Sequence, residues 1–135
     1  TTAAFDYGEV DLGDGDVLRL YGTPGQARFN FMWPLLARGA LGIVYLIDCE
    51  RAAPLEDLSG YIDAFGPTAE GIPSVVALNK IPPETVAPTE VFQEYLEQHG
   101  LNWPVLATDV RQREEVLAII EILLSIIEAQ ALDGE

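Results

Sequence analysis

Two short polar loops hold residues whose types and spacing could bind a phosphorylated ligand. The first is YGTPGQARF at residues 21–29, in which Gly25 permits close backbone approach to a phosphate and Gln26 could orient an attacking water. The second is the pair Asn79-Lys80, which directly follows an apolar run. A simple turn and an ordinary polar strand exit would explain the same residues without a ligand. The loops therefore become informative only if the fold brings them to one place.

Strands and helices alternate along the chain in the order expected of an α/β domain. Strands at 3–12 and 16–21 flank Gly13-Asp14-Gly15, a sequence that favours a hairpin turn. Continuous apolar runs, which are typical of parallel strands covered on both faces, follow at 41–48 (LGIVYLID) and 74–78 (SVVAL). Residues 104–107 are a third short strand candidate. Helices are predicted over 29–37, 55–65, 90–99 and 113–131. The predicted fold is a single three-layer α/β domain over residues 1–135, with a mostly parallel sheet and an N-terminal β-hairpin.

The ends and faces of the predicted helices follow from capping residues and apolar spacing. Thr89 is predicted to be the N-cap of the helix at 90–99, and Gly100 is predicted to end it. The last helix should face the sheet with one apolar stripe, formed by Val116, Ile119, Ile120, Leu123, Leu124 and Ile127. Because ligands bind at the carboxyl ends of the strands in open α/β sheets, this arrangement predicts both polar loops at one edge.

Composition argues against several classes of function. The chain has 7 basic and 22 acidic residues and a formal net charge of −15, so nucleic acid and anionic membrane surfaces would repel it. No apolar run reaches the ~18 residues of a membrane span. One histidine, His99, and one cysteine, Cys49, cannot supply a metal cluster, and they do not form a nucleophile–histidine pair at motif spacing. We interpret Cys49 as a buried structural thiol, and a lone cysteine fits a reducing cytoplasm.

The two polar loops resemble two motifs of Ras-like small GTPases. Gly25 and Gln26 match the glycine and glutamine of the switch II motif D-x-x-G-Q, with a glycine in place of its aspartate. Asn79 and Lys80 match the start of the base-reading motif N-K-x-D, with Pro82 in place of its aspartate. The resemblance implies that Gln26 orients the attacking water and Gly25 senses the γ-phosphate. It also implies that Asn79 and Lys80 hold the base.

The N-terminal residues extend this resemblance. TTAAFDY at residues 1–7 resembles the end of switch I, where Thr2 would reach Mg²⁺ and the γ-phosphate. The order of motifs along nearly the whole chain is similar to a bacterial subgroup that is often paired with Roadblock-type regulators and includes the gliding-polarity GTPases. This resemblance implies GTP or GDP with Mg²⁺ as cofactors, a Roadblock-type protein partner and a cytoplasmic signalling role.

One motif of the family is absent from the sequence. The phosphate-binding loop G-x-x-x-x-G-K-[ST] does not occur, and the one lysine is Lys80. In the family, the first strand, this loop and the first helix precede switch I, so we expect an N-terminally incomplete domain that does not bind GTP by itself. The gap would expose inner sheet edges across which two copies could pair. The alternative is a non-catalytic interaction module that binds a partner through the aromatic residues 29, 31 and 33 or the open edge.

Overall fold

The computed structural model describes residues 6–22, 39–69 and 71–133, which divide into two units. One unit contains an N-terminal hairpin together with residues 64–69. The other covers residues 40–63 and 71–133 and contains a parallel sheet with its helices. The helix predicted at 29–37 lies outside the described residues.

The hairpin pairs β1 (Asp6–Gly13) with β2 (Asp16–Gly22) in antiparallel register, as the sequence predicts. The two residues that connect the strands, Asp14 and Gly15, have φ values of 53° and 83°. Positive φ at both central positions is the signature of a type I′ turn, whose twist matches that of the flanking strands. Glycine reaches this region without steric cost, and aspartate is one of the few other residues that tolerates it.

The parallel sheet contains β3 (Ile43–Asp48), β4 (Ser74–Asn79) and β5 (Val105–Ala107) in that spatial order. β4 is central and pairs in parallel with both neighbours. All six of its residues are buried, which explains why its apolar run is continuous rather than alternating. The prediction of parallel strands is therefore confirmed.

Among the described residues, four helical segments accompany the strands: α1 (Pro54–Phe65), a short 3₁₀ turn (Gly66–Ala69), α2 (Thr89–Gln98) and α3 (Arg113–Asp133). α2 contacts β5, and α3 contacts β4. Within the described ranges, no helix has the length and apolar character needed to cross a membrane.

The two ends of α2 test the capping predictions. Thr89 was predicted to be the N-cap, but it is the first helical residue. Pro88 occupies the N-cap position, and no side-chain hydrogen bond caps the helix. Pro88 has φ −81° and ψ 39°, which is outside the helical region, so the helical residues begin at Thr89. Gly100 ends the helix as predicted, with φ 72°. The Leu101 N–H donates to the carbonyl of Leu96 at 2.8 Å, which completes a Schellman motif.

The face of α3 that packs against the sheet differs partly from the predicted stripe. Ile119 forms a buried cluster with Val75 and Ala77 of β4. The partly buried residues around this cluster are Leu106, Ile122, Leu123 and Ile126. Ile119 and Leu123 therefore belong to both the predicted stripe and this cluster, and the predicted Ile120 is also buried. Ile122 and Ile126 pack against the cluster but were not in the predicted stripe. α3 is apolar on more than one side, so apolar spacing alone does not identify which side meets the sheet.

Candidate functional site

The three parallel strands end at one edge, where their exit loops lie side by side. Asp48, the last residue of β3, is in register with Asn79, the last residue of β4. Leu78 is in register with Ala107, the last residue of β5. Asn79 and Lys80 are therefore located at the carboxyl edge of the sheet, where the sequence analysis expected them. Their role in binding a ligand remains a prediction.

Asn79 connects all three exit loops. Its side chain is buried, and its Oδ1 accepts a hydrogen bond from the Val110 N–H in the loop after β5 at 3.2 Å. Its backbone carbonyl accepts the Cys49 N–H in the loop after β3 at 2.9 Å. A buried amide oxygen without a partner would be costly, so the contact with Val110 fixes the loop relative to β4.

The loop after β5 is fixed at several points. The Thr108 N–H donates to the Leu78 carbonyl at 2.8 Å, and the Asp109 N–H donates to Glu115 Oε1 at 3.1 Å. Arg111 donates from Nε and Nη2 to the two carboxylate oxygens of Asp109, each at 3.0 Å. The Arg111 hydrogen bonds lower the pKa of Asp109, and the same contacts raise the pKa of Arg111. Both groups are therefore charged at neutral pH.

The hydroxyl of Thr108 is buried and has no hydrogen-bond partner among the described residues. An unsatisfied buried hydroxyl costs about 1–3 kcal/mol, and such groups are often completed by a water or a ligand. This hydroxyl lies directly after β5, at the same edge as Asn79.

Lys80 has an unusual backbone conformation for a residue with a side chain. Its φ is 56°, in the left-handed region, and its Nζ lies 3.5 Å from Asp48 Oδ2. The other carboxylate oxygen, Asp48 Oδ1, accepts the Glu50 N–H at 2.9 Å. Asp48 belongs to no motif in the sequence, and its one sequence signal is a carboxylate at the end of an apolar run.

Cys49 follows Asp48 and is partly buried rather than fully buried as predicted. Burial is the main factor that raises the pKa of its thiol, and the negative charge of Asp48 raises it further. The thiol is therefore protonated at neutral pH, which agrees with a structural cysteine rather than a nucleophile. Within the described part of the chain, no group of three or more His, Cys, Asp or Glu side chains could hold a metal ion.

Position 82, where the family motif has an aspartate, carries no acceptor side chain. The carbonyl of Pro82 is already engaged, because it accepts the Thr85 hydroxyl at 2.6 Å and the Thr85 N–H at 3.3 Å. The other predicted site residues, Thr2, Gly25 and Gln26, lie outside the described residues. The described edge corresponds to the base-contacting side of the predicted site, and base binding there stays a prediction.

A comparison with protein families gives one match over most of the chain. The model of the family described as "Conserved hypothetical ATP binding protein" matches residues 1–129.

Curated proteins give weaker and shorter matches. Mouse Ras-related protein Rab-40B is 28% identical over 88 residues, which are 64% of this chain and 32% of that protein. An uncharacterized protein of Methanocaldococcus jannaschii is 36% identical over 56 residues, which are 42% of this chain and 36% of that protein. The chain thus spans about a third of the length of these relatives.

Proposed function

The chain belongs to the family of conserved hypothetical ATP binding proteins, and from this premise we propose that it serves as a GTPase-like, nucleotide-dependent switch. The observation that carries the proposal is the hydrogen bond from Val110 N–H to Asn79 Oδ1, which joins two exit loops at the carboxyl edge of a parallel sheet. The similarity to a Ras-related protein supports the same assignment.

Each predicted residue has a distinct role in the proposed switch. Asn79 holds the two loops together and Lys80 lies along the purine ring, while Gln26 orients the attacking water. Gly25 contacts the γ-phosphate, and Thr2 reaches both that phosphate and Mg²⁺. When bound, Mg²⁺ would neutralise phosphate charge. The loss of the γ-phosphate would then release the segments that contain Thr2 and Gly25.

We further propose that the site distinguishes guanine from adenine only weakly. In the family motif, a carboxylate accepts two N–H groups of guanine, and a hydrogen bond to a charged group contributes roughly 1.5–3 kcal/mol. Pro82 supplies no such carboxylate, and its carbonyl is engaged by Thr85.

Titration with fluorescent GTP and ATP analogues tests the proposal in two steps. The 135-residue chain alone should not bind either analogue with micromolar affinity, because its sequence contains no phosphate-binding loop with a lysine. A protein that carries these residues together with such a loop should bind both analogues. There, Asn79→Ala should weaken binding at least tenfold, whereas Asn102→Ala on an exposed loop should not.

Equal behaviour of the two asparagine variants would contradict the proposed role of the edge. Micromolar binding by the 135 residues alone would show that the phosphate-binding loop is not needed.

A second candidate function is protein interaction, supported by the surface of β3. Val44 and Leu46 of β3 are 40% and 47% exposed, and Leu41, two residues before the strand, is 71% exposed. Among the described strands, β3 has a ladder partner on one side only. Exposed apolar residues beside an open strand edge favour association. A Roadblock-type regulator and a second copy of the chain are the proposed partners. Light scattering with and without the regulator tests this, and a monomer that the regulator does not change would contradict it.

A further inference from the structure

The ion pair between Lys80 and Asp48 joins the exits of two neighbouring strands. The two residues are 32 positions apart in the sequence, and their Nζ and Oδ2 atoms are 3.5 Å apart. The Lys80 side chain therefore extends from the end of β4 across to the end of β3. This path follows the carboxyl edge of the sheet, where the proposed base site lies.

The backbone at the end of β4 fixes the position and direction of the first bond of the Lys80 side chain. The Cys49 N–H donates to the Asn79 carbonyl at 2.9 Å, so the β3–β4 pairing continues one residue beyond Asp48. Lys80 follows with a φ of 56°, a conformation that few residues other than glycine adopt. The chain is thus turned at Lys80 itself, and the start of its side chain is set by the sheet.

The carboxylate of Asp48 fixes the position of the Lys80 ammonium group. Asp48 Oδ1 is used by the Glu50 N–H at 2.9 Å, which restricts rotation of the carboxylate and leaves Oδ2 for Lys80. The side chains of Lys80 and Asp48 are 54% and 37% exposed. Exposed ion pairs contribute little to folding stability, so the consequence of this pair is orientation rather than stability.

We infer that Asp48 is a positioning residue, which holds the Lys80 side chain across the exits of β3 and β4 and presents its methylene stem to a bound purine. The inference rests on the proposed function for its ligand. It assigns a role at the site to a residue that neither the sequence motifs nor the comparisons select. Removal of the carboxylate should release the ammonium and weaken binding of the base without unfolding the protein.

The single lysine provides a direct readout that needs no ligand. Chain labelled with ¹³C at lysine Cε gives one lysine signal, because Lys80 is the one lysine in the 135 residues. Asp48→Ala should move and sharpen this signal, since the side chain loses its fixed end. Asp63→Ala, which removes an exposed aspartate of α1, is the matched control and should leave the signal unchanged. An unchanged signal in Asp48→Ala would overturn the inference.

Nucleotide binding provides the second readout, in a protein that also carries the phosphate-binding loop. Asp48→Ala should weaken GDP and ADP binding by roughly two- to fivefold. The hydrolysis rate at saturation should not change, because Asp48 acts through Lys80 and not at the phosphate. In a Lys80→Ala background, the same substitution should have no further effect. Equal losses in both backgrounds, or no loss in either, would overturn the role of Asp48.

Failure of the proposed function is distinguishable from failure of this inference. If the protein that carries these residues together with a phosphate-binding loop binds no nucleotide before any substitution is made, the switch assignment fails. The ¹³C signal of Lys80 still tests whether Asp48 positions the lysine side chain. The inference holds if the signal moves in Asp48→Ala and does not move in Asp63→Ala.

Discussion

β3 and β4 have similar apolar sequences but different surroundings. In β4, all six residues are buried. In β3, Tyr45 and Ile47 are buried, whereas Val44 and Leu46 are 40% and 47% exposed. The parallel register places Val44 and Leu46 on the same face as Val75 and Ala77, the residues of β4 that pack with α3. α3 thus buries this face at β4 and leaves it exposed at β3.

This difference shows that a continuous apolar run identifies a parallel strand but not its position in the sheet. The apolar runs of β3 and β4 both predict a strand that is buried on two faces. Of the two strands, β4 is buried on both faces and β3 is buried on one. An apolar face that the described elements leave exposed is a candidate for association. The buried face of β3 and the buried strand β4, in contrast, carry the stability of the sheet. Three experiments examine this contrast.

A pair of leucine truncations should show the largest difference. Leu78 of β4 is fully buried, so Leu78→Ala should lower the free energy of unfolding by about 2–5 kcal/mol. Leu46 of β3 is half-exposed, so Leu46→Ala should lower it by less than about 1 kcal/mol. Urea unfolding of both variants measures the difference. Similar losses would indicate that the α3 side of β3 is covered in solution.

The pH dependence of the free energy of unfolding tests whether Tyr45, on the buried face of β3, is shielded from solvent. Tyr45 is 3% exposed and stacks on Trp103 with ring centroids 5.1 Å apart. Burial raises the pKa of Tyr45 from 10.0 to about 12. The folded state therefore favours the neutral phenol of Tyr45. The contribution of this phenol to the free energy of unfolding is present below pH 10 and is lost as the pH rises towards 12. The loss should reach about 2–3 kcal/mol at most.

Tyr45→Phe is the matching variant, because it keeps the ring and removes the ionisable group. Its free energy of unfolding should fall less between pH 10 and 12 than that of the unmodified chain. Unfolding measured at several pH values decides this, and parallel pH profiles would contradict the assignment to Tyr45.

The smallest expected difference is between the two residues that end these strands. Asn79→Ala leaves the Val110 N–H without its side-chain acceptor and should cost about 1–3 kcal/mol. Asp48→Ala removes a partly exposed ion pair and should cost less than about 1 kcal/mol. Thermal unfolding measures both, and hydrogen exchange at the Val110 amide should accelerate in Asn79→Ala alone. Equal exchange in the two variants would contradict the proposed coupling of the loops.

The sequence predicted much of this fold, because its strongest signals are local. The glycines around Asp14 predicted the hairpin turn, and the continuous apolar runs predicted parallel strands. The predicted start of α2 was wrong by one residue. Thr89 was predicted to be the N-cap, and Pro88 occupies that position instead. The packing face of α3 was predicted in part, because its apolar residues are spread around the helix and contact with β4 selects among them.

The candidate site was predicted less completely. A polar pair after an apolar run placed Asn79 and Lys80 at the edge of the sheet. The contact of Asn79 with Val110 spans 31 positions and uses a backbone N–H, so the residue type at 110 carries no signal for it. Asp48 was overlooked because it continues an apolar run and belongs to no motif.

The register of the two sheets also has a kinetic consequence. Hairpin pairs are close in the sequence, such as Gly13 with Asp16, and hairpins form in about 1–10 μs. The β3–β4 ladder begins with Ile43 opposite Ser74, so a long segment must be closed before the first pair forms. During synthesis, β3 emerges well before β4 and must wait for its partner. In that interval its apolar residues lack the partner strand that buries them, which is the kind of surface that chaperones bind.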